Sequence, residues 1–245
     1  MTRSHHAPSI EMGAVSTGEG ARSVARFLLE EAEQVLAPTY ERPDLLFVRG
    51  DGSHVEDADG HRYLDMTSGI AVNALGHCAP EVVEAIRAAA TGLVHMSNLY
   101  HTAPAVELAV ELTRSSFADR VFFCNSGAEA VEAAVKFARL AAGPDRRRIV
   151  YFDGSFHGRT LGALAATDRP DYRTPFEPLA GGFSRAPFND EAGLDIIDRS
   201  AAAAMVEPVQ GEGGVRVPDS TWLRALRRRC SEVGALLIFD EVQCG

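Results

Sequence analysis

Four short stretches of the chain hold the side chains that could do chemistry. The last is an apolar run, 235–239, that follows Gly234 and leads into Asp240 and Glu241. Such a run reads as a strand of a parallel sheet, covered on both faces. Ligands of open α/β sheets bind at the carboxyl ends of the strands, so Asp240 is placed to meet a cationic ring nitrogen; the plainer reading is a strand that stops at a solvated acid pair. A second apolar run, 201–206, leads into Glu207, Gln210, Gly211 and Glu212. Glu207 would need a partner if buried beside its strand, and a solvated loop is the alternative.

The other two stretches follow strand-like runs as well. Ser126, Gly127 and Ala128 come after the apolar residues 121–124 and begin a helical pattern. The amides of Gly127 and Ala128 would then face the carboxyl edge of the sheet, where small residues let a phosphate approach the positive end of a helix dipole. Ser126 with Glu129 is equally a capping box, which needs no ligand. Neither the Walker pattern nor Gly-x-Gly-x-x-Gly is present, so a nucleotide is the less fitting anion. Phe156, His157 and Arg159 follow the run 148–152 through Asp153 and Gly154. An aromatic ring at a strand end can lie on a planar cofactor, and a guanidinium offers a bidentate fork to a carboxylate; a core Phe and a surface Arg are the alternatives.

The elements that must position these residues alternate. Helical spacing covers 81–93, 104–117, 128–141 and 222–233, and strands are expected at 121–124, 148–152, 201–206 and 235–240. Strands separated by helices need crossover connections and hence a mostly parallel sheet. A looser region, 167–189, holds Pro170, Pro175, Pro178 and Pro187. Ahead of the alternation, 21–36 carries Val24, Phe27, Leu28 and Val35 at helical spacing, and 45–48 and 62–65 read as two strands of a small meander separated by turn-rich segments. Residues 1–20 read as a disordered tail.

Composition narrows the function. With 245 residues, 46% of them hydrophobic and 24% charged, the chain can bury a sizeable core. A net charge of −10 argues against a nucleic-acid surface and for small-molecule partners. Cys78, Cys124, Cys230 and Cys244 show no Cys-x-x-Cys spacing, which implies reduced thiols in a cytoplasm and no metal site. No run is long enough to span a bilayer.

Taken in order, Asn-Ser-Gly-Ala-Glu-Ala at 125–130, Ser-Phe-His-Gly-Arg-Thr at 155–160, Val-Glu-Pro-Val-Gln-Gly-Glu-Gly-Gly at 206–214 and Phe-Asp-Glu-Val-Gln at 239–243 resemble the signature of class III, ornithine-type aminotransferases. The resemblance covers roughly 25–245. It implies an α/β fold, the fold-type I large domain of pyridoxal-phosphate enzymes, with a mostly parallel sheet and flanking helices, working as a homodimer. Within the family, residues 64–78 and 94–100 look most like acetylornithine aminotransferases of arginine biosynthesis. Ornithine aminotransferases tend to carry a tyrosine where Gly69 stands, which would crowd an acylated substrate. Family members that act on 4-aminobutyrate, ornithine or succinylornithine are alternatives, as is a non-catalytic binding or dimerisation module on the same fold.

The resemblance assigns each residue a task. Ser126, Gly127 and Ala128 would hold the phosphate of pyridoxal 5'-phosphate, Phe156 and Val242 would flank its ring, and Gln243 would bond the ring hydroxyl. Asp240 would keep the ring nitrogen protonated, with His157, Glu207 and Glu241 completing the cofactor-binding set. Arg159 would clamp the substrate carboxylate, and Glu212 would be the acid that pairs with a gate arginine. The implied reaction moves the side-chain amino group of N-acetylornithine to 2-oxoglutarate in two half-reactions.

One family residue has no match. The lysine that holds the cofactor covalently lies some tens of residues past the Asp-Glu-Val-Gln motif in relatives, and the sequence has a single lysine, Lys136. Lys136 falls mid-helix, four residues after Glu132, and reads as a solvated residue in a weak ion pair. The expectation is therefore a tail at 1–20, a helix-and-meander segment at 21–76 and an incomplete large domain at 77–245, front part of an aminotransferase and inactive by itself.

Overall fold

The computed structural model describes residues 19–245. The tail expected at 1–20 lies outside them except for Glu19 and Gly20, which open the first helix. The chain divides into two compact units, with the boundary after Ala105.

In the first unit, α1 (Glu19–Val35) turns Ala25 inward and pairs Arg26 with Glu30 one turn on, at 3.1 Å. It precedes an antiparallel meander of β1 (Phe47–Asp51), β2 (His54–Asp57) and β3 (Arg62–Leu64). The middle strand was not expected, because its single apolar residue, Val55, leaves no alternation to read. Buried Asp57 fixes the β2–β3 turn by accepting from the His61 amide at 2.9 Å and the Tyr63 hydroxyl at 2.8 Å. Burial works to raise the Asp57 carboxyl, but these hydrogen bonds prevail and hold it below its ordinary value. Next comes α2 (Ser68–Ala71), a single turn in which Ser68, Gly69, Ile70 and Ala71 all have positive φ. Left-handed backbone is costly for residues with a Cβ, and Asp65 offsets that cost by accepting from the Ser68 amide and the Thr67 hydroxyl, each at 2.8 Å. The Asp65 carboxyl also meets His77 Nε2 at 2.8 Å, and this bond is the main reason it lies far below the usual carboxylate range. Gly69, at φ 64°, occupies the region that glycine alone enters freely. The helix α3 (Pro80–Thr91) opens with proline at its first position, and α4 (Ala103–Ser115) carries the chain across the boundary.

The second unit holds α5 (Gly127–Ala142), β4 (Arg148–Phe152), α6 (Leu161–Ala165), α7 (Pro170–Arg173), β5 (Phe183–Ala186), β6 (Ala201–Val206), α8 (Ser220–Val233) and β7 (Leu236–Phe239). All four strands are parallel, in the order β5-β4-β6-β7. Core residues line both faces. Val150, Phe152, Ala204 and Val206 pack with Trp222, Leu226 and Cys230 of α8 on one side, while Ile149, Ala203 and Met205 pack with Val131, Val135 and Ala138 of α5 on the other. A register shift opposite Arg148 and Ile149 inserts one residue into β6, so Ala202 and Ala203 both serve the α5 side. Burial pushes the Cys230 thiol up to about 11.

One strand expectation fails here, and one strand forms where a looser region was expected. Residues 121–124 form no strand, because no described strand offers them a ladder, and Phe122 and Phe123 are exposed. Within the proline-rich 167–189, β5 forms an edge strand beside β4. Its Ser184 and Arg185 interrupt the apolar signal, and Arg185 reaches Asp168 at 3.0 Å.

Candidate functional site

Parallel register brings three strand ends together. Val206 lies beside Phe239, so the next residues, Glu207 and Asp240, sit side by side at the carboxyl edge, and the Asp240 amide bonds the Val206 carbonyl at 2.9 Å. The chain leaving β4 turns at Asp153 and Gly154 and lays Phe156 and His157 over the same edge. There the Phe156 amide donates to Glu207 Oε1 at 2.8 Å and His157 Nδ1 meets Asp240 Oδ2 at 2.7 Å. His157, Glu207 and Asp240 are all buried, His157 at 2% exposure. Thr167 is fully buried, and its hydroxyl accepts the His157 amide at 2.9 Å, which fixes the loop from behind. The other ring nitrogen, Nε2, is buried and has no hydrogen-bond partner among the described residues. Burial raises the Glu207 carboxyl above its ordinary value despite the Phe156 amide and His157, and the neighbouring Asp240 pushes the same way.

The start of α5 faces this group. Ser126 caps the helix: its hydroxyl accepts the Glu129 amide at 3.2 Å, and Glu129 accepts the Asn125 amide at 2.7 Å. That commits the Ser126 side chain to the cap and leaves the amides of Gly127 and Ala128 with no preceding turn to bond. A Cβ at Gly127 would stand 2.6 Å from Val242 Cγ1, and one at Gly158 would stand 3.0 Å from the Ala128 Cβ. Gly127 and Ala128 are therefore packed against both the Asp240–Gln243 turn and the loop that carries His157. Gln243 touches the third loop, since a Cβ at Gly211 would lie 2.8 Å from its Cγ. The Val242 amide bonds Asp240 Oδ1 at 3.2 Å, while the exposed Glu241 gives only its carbonyl, to Gly245 at 2.7 Å.

Arg159 stands exposed beside this group, its Cζ 5.9 Å from the Phe156 ring and 3.7 Å from the Tyr172 ring. Glu212 accepts from the Tyr172 hydroxyl at 3.3 Å. Glu132 is not an ion-pair partner of Lys136 as expected; its Oε1 takes the Thr160 hydroxyl at 2.6 Å and the Ala163 amide at 3.1 Å, anchoring the loop after Arg159. Lys136 itself is exposed. Thr167, Arg169 and Tyr172 had no signal in the sequence, because a buried hydroxyl and a loop Tyr or Arg look the same with or without a site. Gln210 was visible only as part of a motif, and it is fully buried, donating to the Asp153 carbonyl at 2.9 Å.

The family model described as Aminotransferase class-III matches residues 35–245. The chain belongs to the class III aminotransferases. It is 50% identical over 211 residues to an acetylornithine aminotransferase of Methanocaldococcus jannaschii, which covers 84% of this chain and 53% of that protein. It is 47% identical to the mitochondrial acetylornithine aminotransferase of Alnus glutinosa over 91% of this chain and 52% of that one. Among solved structures, the ornithine aminotransferase of Toxoplasma gondii superposes with a TM-score of 0.85 at 29% identity, over 95% of this chain and 58% of that one. The N-acetylornithine aminotransferase of Stenotrophomonas maltophilia gives 0.72 at 38% identity, over 89% and 54%. This class III chain thus spans about half the length of the curated relatives it matches.

Class III aminotransferases work with pyridoxal phosphate, and the class III residues present fit that group on two observations. His157 Nε2 is a buried polar atom with no partner, behind a carboxylate at the strand edge. The amides of Gly127 and Ala128 open α5 with no preceding turn to bond, and Val242 packs on Gly127 so closely that only a glycine fits there. No helix among the described residues is long and apolar enough to cross a membrane.

Proposed function

We propose that this chain forms the cofactor-binding part of an acetylornithine aminotransferase, moving the side-chain amino group of N2-acetyl-L-ornithine to 2-oxoglutarate in arginine biosynthesis. The observation that carries the reading is the buried His157–Asp240 pair at a sheet edge shared with the amides of Gly127 and Ala128. Bound there, pyridoxal phosphate would supply an electron-accepting ring. Asp240 would pair with the ring nitrogen, and His157, bonded to Asp240 at 2.7 Å, keeps that carboxylate aimed. Phe156 and Val242 would flank the ring, Gln243 and Glu241 belong to the same turn as Val242, and Glu207 fixes the Phe156 backbone. The amides of Gly127 and Ala128 would receive the phosphate, with Ser126 at the cap. Arg159, exposed and free to form a bidentate pair, takes the substrate carboxylate. The relatives named acetylornithine aminotransferase, at 46–50% identity, support this substrate over others of class III. Assembly as a homodimer belongs to the same reading.

The test is the whole protein, loaded with pyridoxal phosphate and offered N-acetylornithine, ornithine, succinylornithine and 4-aminobutyrate, with 2-oxoglutarate as acceptor. The highest kcat/KM is expected for N-acetylornithine; preference for another amine replaces the substrate and keeps the cofactor site. Loss of cofactor absorbance in Asp240→Ala is expected alongside, and unchanged cofactor binding in that variant would remove the basis of the proposal.

A further inference from the structure

Arg159 and Glu212 meet at a residue that no motif singles out. Tyr172, on α7, has its ring centroid 3.7 Å from the Arg159 Cζ and 5.5 Å from the Arg169 Cζ, and its hydroxyl donates to Glu212 Oε1 at 3.3 Å. Arg169 also holds Glu212 directly, through Nη1 to the Glu212 carbonyl at 3.2 Å and Nη2 to Oε1 at 3.9 Å. The aromatic ring orients both guanidinium groups, and the hydroxyl orients the acid. Among the described residues of this cluster, two guanidinium groups therefore stand against one carboxylate. An arriving carboxylate offsets one of them. An arriving ammonium meets an acid whose charge Arg169 already answers, and it adds a third cation.

The geometry points to Arg169 as a specificity-determining residue. It penalises substrates that carry a free ammonium beside the clamped carboxylate and spares those whose nitrogen there is acylated and neutral. Tyr172 is the positioning residue that holds Arg169 and Glu212 in this arrangement. The inference rests on the reading of Arg159 as the carboxylate clamp of an aminotransferase. Ornithine and N-acetylornithine differ at that one nitrogen, so their ratio measures it. Arg169 and Glu212 are both partly exposed, which keeps the effect modest.

The experiment measures kcat/KM for ornithine and for N-acetylornithine with the whole, cofactor-loaded protein, in the wild type and in Arg169→Gln, Arg169→Lys and Tyr172→Phe. Arg169→Gln should raise the ornithine-to-acetylornithine ratio about two- to fivefold, through KM for ornithine, and less so at high salt. Arg169→Lys keeps the charge and should hold the ratio near wild type, while Tyr172→Phe should move it in the direction of Arg169→Gln. A ratio unchanged in Arg169→Gln, with the wild type active on N-acetylornithine, overturns the inference and leaves the proposed function standing. Equal shifts in Arg169→Gln and Arg169→Lys overturn it as well, since charge would not be the cause. A wild type that turns over neither amine removes the proposed function and this inference with it.

Discussion

Asp240 and His157 are separated by 83 positions in sequence yet share a 2.7 Å contact, and each has a distinct expected loss. Asp240→Asn keeps the shape and removes the charge that would hold a proton on the cofactor ring, so turnover of the whole protein should fall about a hundredfold or more. His157→Gln leaves that charge in place and removes a charge-assisted hydrogen bond, for which about a ten- to hundredfold loss is expected. Its distinguishing mark is a change in the bound cofactor's absorbance spectrum, since the carboxylate at the ring nitrogen loses the partner that aims it. If His157→Gln behaved as wild type in both rate and spectrum, the imidazole would be packing alone. Glu207 makes a prediction about stability. Burial raises its folded-state carboxyl above the ordinary 4.5, so its contribution is fully present below that pH and is lost as pH rises through the raised value. Urea melts of the wild type and Glu207→Gln across pH 4 to 8 should therefore diverge in slope, with the wild type losing stability relative to the variant as pH rises above 4.5. Parallel curves would show that Glu207 is not desolvated as the structure has it. At this scale the sequence was most readable where a polar residue ended an apolar run, as at Glu207 and Asp240. It was silent on Thr167, Tyr172 and Arg169, whose placement depends on which loop folds back on which strand.

Elements decide whether such residues meet, and two contacts between elements can be tested. The N-terminus of α5 is held against the turn after β7 with no room for a side chain at Gly127, where a Cβ would stand 2.6 Å from Val242 Cγ1. Gly127→Ala should push Val242 away and weaken cofactor binding by about 1–3 kcal/mol, read as a higher Kd for pyridoxal phosphate by fluorescence titration. An unchanged Kd would mean that the cradle is looser than the packing implies. At the opposite end of the sheet, Arg146 Nη2 donates to the carbonyls of Ala201, Val233 and Gly234 at 2.7, 3.3 and 2.8 Å, tying the start of β6 to the end of α8. Arg146→Ala leaves those acceptors to water and should cost about 2 kcal/mol in a denaturant melt, with cofactor affinity little changed. The alternation of helix and strand was legible because the apolar runs 148–152 and 201–206 are buried on both faces, whereas the run expected to be covered on both faces at 235–239 is the last strand of the sheet and leaves Leu236 and Phe239 exposed. The same rule misled at 121–124, where apolar residues exist but no neighbouring strand pairs with them. It also missed β5, an edge strand whose Arg185 faces solvent and Asp168 rather than core.

On the scale of the whole molecule, the apolar surface that the chain leaves uncovered bears on how it behaves alone. Phe122 and Phe137 stack edge to face at 5.4 Å yet are 58% and 52% exposed, and Leu140 on the same helix is 81% exposed. Leu236 and Phe239 of β7 are exposed at the last strand of the sheet, whose outer backbone groups have no described strand beside them. In the first unit, Met66, Ile70, Val72 and Leu75 are likewise exposed around the left-handed turn. Lone exposed hydrophobics are ordinary on any protein, but exposed clusters in a chain that also has an open strand edge favour association. The net charge of −10 opposes contact between copies only at long range and fades with salt. The 245-residue chain by itself is therefore expected to self-associate, to bind a hydrophobic dye, and to do both more strongly as salt rises. Light scattering coupled to size exclusion at two salt concentrations checks this, and a monodisperse monomer with a single cooperative melt would contradict it. Labelling separates association from site formation: with one equivalent of pyridoxal phosphate and borohydride reduction, no stoichiometric adduct is expected on Lys136, which projects from the exposed face of α5 among Phe137, Leu140 and Arg147. A full adduct at Lys136 would place the cofactor on that face and away from Asp240, and the charge arrangement argued for the sheet edge would then have no role in the chemistry.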